Sequence, residues 1–310
     1  MKILRSRGEI KKKRKWIRNI LSIVILLIVI CTMFIIYQYK SGVIESTKDV
    51  NNKGKDYDFL PAEPQLGEMN ILLLGSDSRG EEHSRSDTLM IAHYNSNNNS
   101  IKLASIMRDT YVDIPGHGLQ KINAAFAFGG PELVRQTIKN NFDIDVNYYA
   151  IADFKGFSKL VDIIAPDGIQ VDIPYEMSYG IGTVLKPGSQ ILHGKDLLGY
   201  VRFRHDRLSD FGRVERQQEV MSKLKEQAIS AHTIYNLPKI IGLATPYIDT
   251  NLDTQSILSL SKGLLLNSTD GLESLRIPIQ DSYENDVVNV GAVLKADLDT
   301  NKEALSSFFN

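Results

Sequence analysis

Two clusters of arginine and aspartate hold the residue types in this sequence that are best suited to chemistry. Residues 75–79 read Gly-Ser-Asp-Ser-Arg, and residues 202–217 contain five arginines and two aspartates. Guanidinium groups hold phosphate oxygens in a fork of fixed geometry, and carboxylates among them can hold a divalent cation that bridges the same phosphates. The clusters therefore indicate a phosphate ester or anhydride as the substrate.

Charged residues stand beside three consecutive predicted strands. The strands are predicted at residues 70–74, 88–94 and 101–106. Asp77 follows the first strand, Asp87 precedes the second and Arg108 follows the third. If the first two strands are neighbours, Asp77 and Asp87 lie at one sheet edge and can share a magnesium ion, which needs only one or two carboxylates plus phosphate oxygens. An ion pair of Asp87 with Arg79 or Arg85 accounts for that carboxylate equally well.

The second cluster admits two interpretations. Arg202 and Arg204 lie two residues apart, so they are aligned on an extended segment and opposed on a helix. They form a phosphate clamp only if the helix predicted before them has already ended. Arg213, Arg216 and Gln217 have the three- and four-residue spacings that share one face of the following predicted helix. A solvated helix face is the alternative for this run.

Other catalytic motifs are missing from the sequence. No Gly-x-x-x-x-Gly-Lys loop occurs, so a nucleotide hydrolase has no support. Residues 75–80 superficially resemble a nucleophile elbow, but their central residue is Asp77 rather than serine. The six histidines show no paired ligand spacing, so we expect no zinc site and interpret them as surface or loop residues.

The first 39 residues predict on which side of a membrane these clusters lie. Nine basic residues stand against a single acidic residue in residues 1–18, and residues 19–39 carry no charge. About 20 apolar residues cross a bilayer, and basic flanks stay in the cytoplasm. A cleaved signal peptide would have a shorter apolar region that ends in small residues. We therefore predict a cytoplasmic basic segment (1–18), a transmembrane helix (19–39) and a single-pass type II membrane protein whose remaining chain is extracytoplasmic.

The rest of the chain is predicted to form a stalk and one large domain. Residues 40–65 are polar and contain two prolines, which favours a stalk. Residues 66–310 predict an α/β domain, a mixed sheet with helices on both sides. Helices are predicted at residues 124–128, 131–140, 154–164, 194–201, 214–230, 255–266 and 302–309, and further strands at 148–151, 169–173 and 274–279.

Charge argues against nucleic acid as a partner. Beyond residue 39 the chain has 27 basic and 36 acidic residues, a net charge of −9. A net-acidic domain is not a general polyanion-binding surface, so its arginines act locally in a site. The only cysteine, Cys31, lies in the predicted span, so the outer domain is stabilised by its core without disulfides.

Several blocks of the sequence together resemble a known family. Residues 70–79, 85–90, 105–116, 121–130 and 200–218 are similar, in order, to the signature blocks of the LytR-CpsA-Psr family of gram-positive bacteria. The resemblance covers essentially the whole outer domain, and the single basic-flanked span also matches.

This resemblance implies a ligase that moves an anionic glycopolymer, wall teichoic acid or capsular polysaccharide, from an undecaprenyl pyrophosphate carrier to peptidoglycan. The implied acceptor is the C6 hydroxyl of N-acetylmuramic acid, and the implied cofactor is Mg²⁺ or Mn²⁺. The implied catalytic residues are Asp77, Asp87, Arg108, Asp210 and Arg213, with the metal at Asp77 and Asp87. The implied pyrophosphate-binding residues are Arg79, Arg202, Arg204 and Gln217, together with Arg108.

Two rival functions use the same residues. A pyrophosphatase would release lipid phosphate to water, with no sugar acceptor. A non-catalytic regulator or carrier-binding protein would bind the lipid without turnover. Only about 18 residues precede the span, which leaves no room for a cytoplasmic DNA-binding domain and argues against direct transcriptional regulation.

Overall fold

The computed structural model describes most of the chain, in two compact units. The described residues are 2–47, 57–63, 67–76, 86–228, 231–253, 256–257, 260 and 272–310. The small unit comprises Met1–Asn51 and Asn236–Leu243, and the large unit comprises Asn52–Tyr235 and Ala244–Asn310.

One long helix, α1 (Lys2–Thr47), makes up most of the small unit. Its part from Arg14 to Thr47 is long and apolar enough to cross a membrane, and none of its most apolar stretch is buried within the protein. The chain therefore has an N-terminal helix that fits a membrane anchor, as the charge-free run predicted. The helix continues eight residues beyond Tyr39, into the segment predicted to be a stalk.

The large unit alternates strands and helices. Its strands are β1 (Glu68–Ser76), β2 (Ser86–Asn95), β3 (Ser100–Ile106), β4 (Tyr111–Ile114), β5 (Gly118–Lys121), β6 (Tyr148–Asp153), β7 (Ile169–Ile173), β8 (Gly188–Leu192), β9 (Asp249–Thr250), β10 (Glu273–Ile277), β11 (Tyr283–Val288) and β12 (Gly291–Ala296). Its helices are α2 (Ala124–Phe142), α3 (Phe154–Ile164), α4 (Gly194–Arg202), α5 (Asp210–Ala228) and α7 (Leu298–Phe309), and α6 (Ala231–Ala244) is shared between the two units.

Six strands form one mixed sheet in the order β10-β3-β2-β1-β6-β9. β2 is antiparallel to both of its neighbours, whereas β6 is parallel to β1 and β10 is parallel to β3. The Asn-rich turn between β2 and β3 makes the predicted hairpin. β4–β5, β7–β8 and β11–β12 form separate two-stranded hairpins.

Helices cover both faces of this sheet, which confirms the predicted fold class. Helices α2 and α7 pack on one face, in a core that includes Leu72, Ile91 and Ile138. Helices α3, α4 and α5 lie over the opposite face and share a second core. Side chains alternate between the two faces of a strand. Leu73 and Met90 therefore face α3, α4 and α5, whereas the adjacent Leu72 and Ile91 face α2 and α7.

Several local predictions agree with the structure and several do not. Asp153 caps α3 as predicted, since its Oδ1 accepts a hydrogen bond of 2.6 Å from the backbone N–H of Gly156. Helix α2 is broken at Gly129 and Gly130, and Pro131 opens its second part. The sequence predicted neither α6 nor the hairpins β4–β5 and β11–β12. The helix predicted at 255–266 lies mostly outside the described residues.

Part of the predicted stalk belongs to the large unit. The backbone N–H of Ala62 donates to the Val146 carbonyl at 3.2 Å, and that of Leu60 donates to Glu132 Oε2 at 2.9 Å. The rings of Tyr57 and Phe59 pack against the core of the large unit. Residues 57–63 are therefore a strap on the domain rather than a free spacer.

His93 is buried, although we expected surface histidines. Its Nδ1 lies 2.8 Å from Asn70 Oδ1, and its ring stacks on Phe309 with centroids 4.8 Å apart. Its buried Nε2 has no hydrogen-bond partner among the described residues. Burial lowers the pKa of His93, and Lys102 acts in the same direction while Glu68 opposes it. His93 is therefore neutral in the folded protein at pH 7.

This burial predicts a pH-dependent stability. The pKa of His93 in the folded state lies below its unfolded value of about 6.5. The contribution of neutral His93 to the free energy of unfolding is therefore complete above about pH 6.5 and is lost as the pH falls through the folded-state pKa. We expect His93→Gln to flatten the dependence of the melting temperature on pH between about 7.5 and 5. Thermal unfolding of both proteins across this range tests the prediction, and parallel curves would contradict it.

Candidate active site

One edge of the central sheet gathers the charged residues. β1 ends at Ser76, β2 begins at Ser86 and β3 ends at Ile106. Because β2 is antiparallel to both neighbours, these three ends lie at the same edge. Asp87 therefore comes close to Arg108, a contact that the sequence analysis did not name.

Arg108 is held by carboxylates from three parts of the chain. Its Nη1 lies 2.5 Å from Asp87 Oδ1, and its Nε lies 3.1 Å from Asp210 Oδ2 and 3.5 Å from Asp109 Oδ2. Burial alone would lower the pKa of Arg108, but the carboxylates of Asp210, Asp87 and Asp109 outweigh it and raise this pKa. The guanidinium is thus a permanent cation in a fixed orientation.

Two further arginines share the same carboxylates. Arg204 Nη2 lies 3.3 Å from Asp87 Oδ1, and its Nε lies 3.2 Å from Asp210 Oδ1. Arg213 Nη2 lies 3.1 Å from Asp210 Oδ2, and its Nη1 lies 3.8 Å from Asp87 Oδ1. Three guanidinium groups therefore surround Asp87 and Asp210, and the third carboxylate, Asp109, is also paired with Lys121 at 2.8 Å. Among the described residues, four cations thus stand against three carboxylates. The arrangement leaves an excess of positive charge that favours an anionic ligand.

Arg213 has donors to spare although it is almost fully buried. Its side chain is 3 % exposed, and its Nε and Nη1 have no hydrogen-bond partner in the part of the chain that the structure describes. Leaving charged donors unpaired is costly unless a ligand satisfies them. Arg213 also lies in the first turn of α5, where the helix dipole favours an anion. The site is thus suited to a phosphate group.

Asp206 fixes the loop that leads into α5. Its Oδ1 accepts the backbone N–H groups of Leu208 and Ser209 at 3.0 and 2.6 Å. Its Oδ2 accepts Arg216 Nη1 at 2.7 Å and the Tyr175 hydroxyl at 2.9 Å. Burial raises the pKa of Asp206, but the hydrogen bonds from Arg216 and Tyr175 dominate and lower it. We had predicted that Arg216 lies on the same helix face as Arg213. Arg216 instead binds Asp206 and orders the loop.

The structure separates the roles of Arg202 and Arg204. Helix α4 continues through Arg202 and the chain becomes extended only at Phe203. A phosphate clamp of Arg202 and Arg204 required the helix to end before Arg202, so this structure does not form that clamp. Arg202 Cζ lies 4.0 Å from the centroid of the Phe154 ring, a cation–π contact, whereas Arg204 joins the carboxylate cluster.

Gln217 completes the face that begins with Arg213. One helical turn separates the two residues, and both line the same cavity. Gln217 Nε2 donates to Thr88 Oγ1 at 3.0 Å. The next residue, Gln218, turns to the sheet and donates to Ser105 Oγ at 3.0 Å. Gln217 thus connects α5 to the start of β2.

A cavity of about 640 Å³ lies beside the charged cluster. It lies between the sheet and helices α3, α4 and α5, and most of its wall is apolar. Lining residues include Leu73, Met90 and Leu103 of the sheet, Phe157 and Leu160 of α3, Leu198 of α4, and Met221 and Leu224 of α5. Asp87, Arg202, Arg204 and Arg213 line the same cavity. The shape and chemistry fit an amphiphile with an anionic head and an apolar tail.

The metal prediction falls partly outside the described chain. Asp77 and Arg79 are not among the described residues, and the described residues contain no group of three or more acidic, histidine or cysteine side chains placed to hold a metal ion. The hydrogen bonds that described residues donate to Asp87 all reach Oδ1. Asp87 Oδ2 can therefore serve as one of the few protein ligands that Mg²⁺ needs beside phosphate oxygens.

Sequence reasoning missed several residues of this site. Asp109 binds both Arg108 and Lys121, the latter at 2.8 Å, yet only its position beside Arg108 signalled a role. Phe154 and Thr88 showed no signal, because an aromatic residue after a strand and a threonine within one are ordinary core patterns. Asp206 was overlooked among the arginines around it.

Comparisons with known proteins give a matching family model, similar sequences and similar structures. The model of the LytR_cpsA_psr family matches residues 32–307. The Regulatory protein MsrR of Staphylococcus aureus (strain COL) is 40% identical over 279 residues, covering 90% of this chain and 85% of that protein. The polyisoprenyl-teichoic acid–peptidoglycan teichoic acid transferase TagU of Oceanobacillus iheyensis is 32% identical over 268 residues, 82% of each chain. The crystal structure of B. subtilis TagV matches with a TM-score of 0.67 at 27% identity, covering 79% of this chain and 98% of that one.

Proposed function

Since this chain belongs to the LytR_cpsA_psr family, we propose that it transfers an anionic glycopolymer from an undecaprenyl pyrophosphate carrier to peptidoglycan. The polymer class is wall teichoic acid or capsular polysaccharide, and the acceptor is the C6 hydroxyl of N-acetylmuramic acid. The TagU relative is named as a teichoic acid transferase that acts between a polyisoprenyl-linked teichoic acid and peptidoglycan, which supports this class of reaction.

One observation carries the proposal: Arg108, Arg204 and Arg213 surround two carboxylates beside a large apolar cavity. A polyprenyl pyrophosphate has the matching parts, an anionic head and a long apolar tail. The excess positive charge accommodates the head, and the wall of the cavity accommodates part of the tail. A soluble nucleotide would leave the apolar wall unused.

The reaction breaks the phosphoanhydride bond of the carrier and forms a phosphodiester. The muramic acid hydroxyl attacks the phosphorus nearer the polymer, a new P–O bond forms, and the bond to the lipid phosphate breaks. Asp87 or Asp210 accepts the hydroxyl proton, and lipid phosphate leaves. Arg108, Arg204 and Arg213 stabilise the negative charge that develops on the phosphate oxygens, which is the main requirement of phosphoryl transfer.

We propose Mg²⁺, or Mn²⁺, as the cofactor, held by Asp87 together with Asp77. When bound, the ion neutralises pyrophosphate oxygens. Replacing Asp87 by Asn should weaken Mg²⁺ binding in the presence of farnesyl pyrophosphate by about tenfold or more. Titration calorimetry on the full chain in detergent measures this, with the exposed Asp113→Asn as the control. Equal Mg²⁺ affinity in both variants would remove Asp87 from the metal site.

The apolar cavity predicts a dependence on tail length. Ala92→Trp projects a large ring into the cavity from β2. We expect a roughly tenfold higher KM for a long-chain carrier, because excluding a few methylenes costs about 1–3 kcal/mol, and a smaller effect on a short-chain analogue. Kinetics with both carriers give the comparison, and Val287→Trp on the exposed β11–β12 hairpin is the control. An equal effect on both carriers would contradict the assignment.

A regulatory role is the second candidate, because the MsrR relative is named a regulatory protein. The transferase, a pyrophosphatase and a non-catalytic regulator would differ in their products. The full chain, reconstituted in vesicles with labelled lipid-linked glycan and peptidoglycan oligomers, should produce joined glycan. Release of glycan phosphate without joining would favour a pyrophosphatase. Binding without any product would favour the regulator.

We further propose a type II orientation with the large unit outside the cell. The nine basic residues before the span support it through the positive-inside rule. Protease added to intact protoplasts should then digest the large unit and spare the basic N-terminal segment.

A further inference from the structure

The small unit contains a second segment besides the long helix. Residues 236–243 of α6 cluster with Met1–Asn51 rather than with the large unit. The segment reads Asn-Leu-Pro-Lys-Ile-Ile-Gly-Leu, and the side chains of Leu237, Ile240 and Leu243 are partly exposed. The described residues therefore cover this apolar segment only in part, which leaves surface that a lipid layer can contact.

Two glycines bring α6 and α1 into close backbone contact. A Cβ at Gly42 would overlap the Lys239 carbonyl, and a Cβ at Gly242 would overlap the Tyr39 carbonyl. Ser46 Oγ adds a hydrogen bond of 3.4 Å to the carbonyl of Gly242. Small residues at a crossing of this kind are typical of helix pairs in and near membranes.

The contact lies at a defined height on α1. The uncharged run ends at Tyr39, which places that residue at the boundary of the hydrocarbon layer. Glu45 lies about 9 Å further along the helix, at the level of the polar headgroups. Lys239 Nζ pairs with Glu45 Oε2 at 2.9 Å, and Gly242 meets Tyr39 at the boundary. Tyr37, which is 72 % exposed, fits the aromatic belt of such a boundary.

From these positions we infer that residues 236–243 form an interfacial membrane segment. It lies in the headgroup layer against the end of the span that is distal to the basic N-terminal residues, with Leu237 and Ile240 available to lipid. Lys239 and Glu45 form their ion pair at the polar level, and Gly242 reaches the apolar boundary. The chain thus contacts the bilayer at two points. The inference depends on the membrane span and not on the proposed transfer reaction.

Cross-linking tests the helix contact in the full chain. Cys31 is the only cysteine, so Cys31→Ser gives a clean background. In vesicles of phosphatidylcholine and phosphatidylglycerol, Glu45→Cys with Lys239→Cys should be joined by a short bismaleimide. In the control pair, Tyr37→Cys replaces Glu45→Cys as the partner of Lys239→Cys. Position 37 lies about 12 Å from position 45 along α1, so this pair should give little product. Equal yields for the two pairs would overturn the contact.

Fluorescence tests the depth of the segment. Trp16 is the only tryptophan, so Trp16→Phe leaves Leu237→Trp as the single reporter. Lipids brominated near the headgroup should quench this tryptophan several-fold more than they quench Val287→Trp, an exposed position on the β11–β12 hairpin. Quenching of Leu237→Trp no stronger than that of Val287→Trp would overturn the interfacial placement, whatever the transfer assay shows.

Discussion

Replacing Arg108 by alanine should reduce glycopolymer transfer by about 10³-fold, as expected for an arginine that stabilises the charge of a phosphoryl transition state. Arg108 contacts Asp87, Asp109 and Asp210, and so stands at the centre of the cluster. The folded state should persist, because Arg204 and Arg213 still neutralise Asp87 and Asp210. Initial rates with labelled lipid-linked glycan measure the loss.

Arg135→Ala is the matched control for this variant. Arg135 also belongs to a partly buried ion pair, with Glu132 at 2.6 Å, but it lies on α2 and outside the cavity lining. It should leave the transfer rate within a fewfold of the unmodified protein. A rate for Arg108→Ala within tenfold of Arg135→Ala would contradict the role assigned to Arg108.

Arg213→Met should weaken binding of a polyprenyl pyrophosphate by about 30-fold or more, which corresponds to a loss of about 2 kcal/mol. The buried Nε and Nη1 of Arg213 have no hydrogen-bond partner among the described residues, so both donors remain available to a bound pyrophosphate. Methionine retains the length and apolar volume of the side chain and removes every donor. Calorimetric titration of the full chain with farnesyl pyrophosphate gives both dissociation constants.

A second variant tests whether the positive charge alone, without the fixed orientation of the Arg213 donors, accounts for pyrophosphate binding. Arg207 lies on the exposed loop before α5, and Arg207→Met removes the same charge from that surface. Its dissociation constant should change less than threefold, as screening of an exposed charge predicts. Equal losses in the two variants would show that general attraction, and not the fixed fork of Arg213, binds the pyrophosphate.

The sheet and its charged edge could be predicted because they depend on local patterns. The apolar run before Gly75 and the Asn-rich turn after β2 define strands and a hairpin without tertiary information. Once β2 is placed between β1 and β3, the proximity of Asp87 and Arg108 follows from strand direction alone. Asp153 was recognised as the cap of α3 for the same reason.

The cavity could not be predicted, because its wall is assembled from distant elements. Met90 and Leu224 have the same sequence pattern as core residues, and only the packing of α3 and α5 over the sheet leaves space between them. The different contacts of Arg202 and Arg204 depend on one residue, since α4 ends at Arg202 rather than at Val201. Helix ends are less strongly encoded than helix interiors. The burial of His93 likewise depends on Phe309, which is distant in sequence.

The central claim is that glycan phosphate is joined to peptidoglycan, and mass spectrometry of the junction tests it most directly. The reconstituted full chain would be incubated with Mg²⁺, a short lipid-pyrophosphate-linked glycan and peptidoglycan oligomers, and the digested product would be sequenced. We predict a muramic acid that carries the glycan through a phosphodiester at C6, formed by the unmodified protein and not by Arg108→Ala. Glycan phosphate found only in free form, with unmodified muramic acid, would contradict the account.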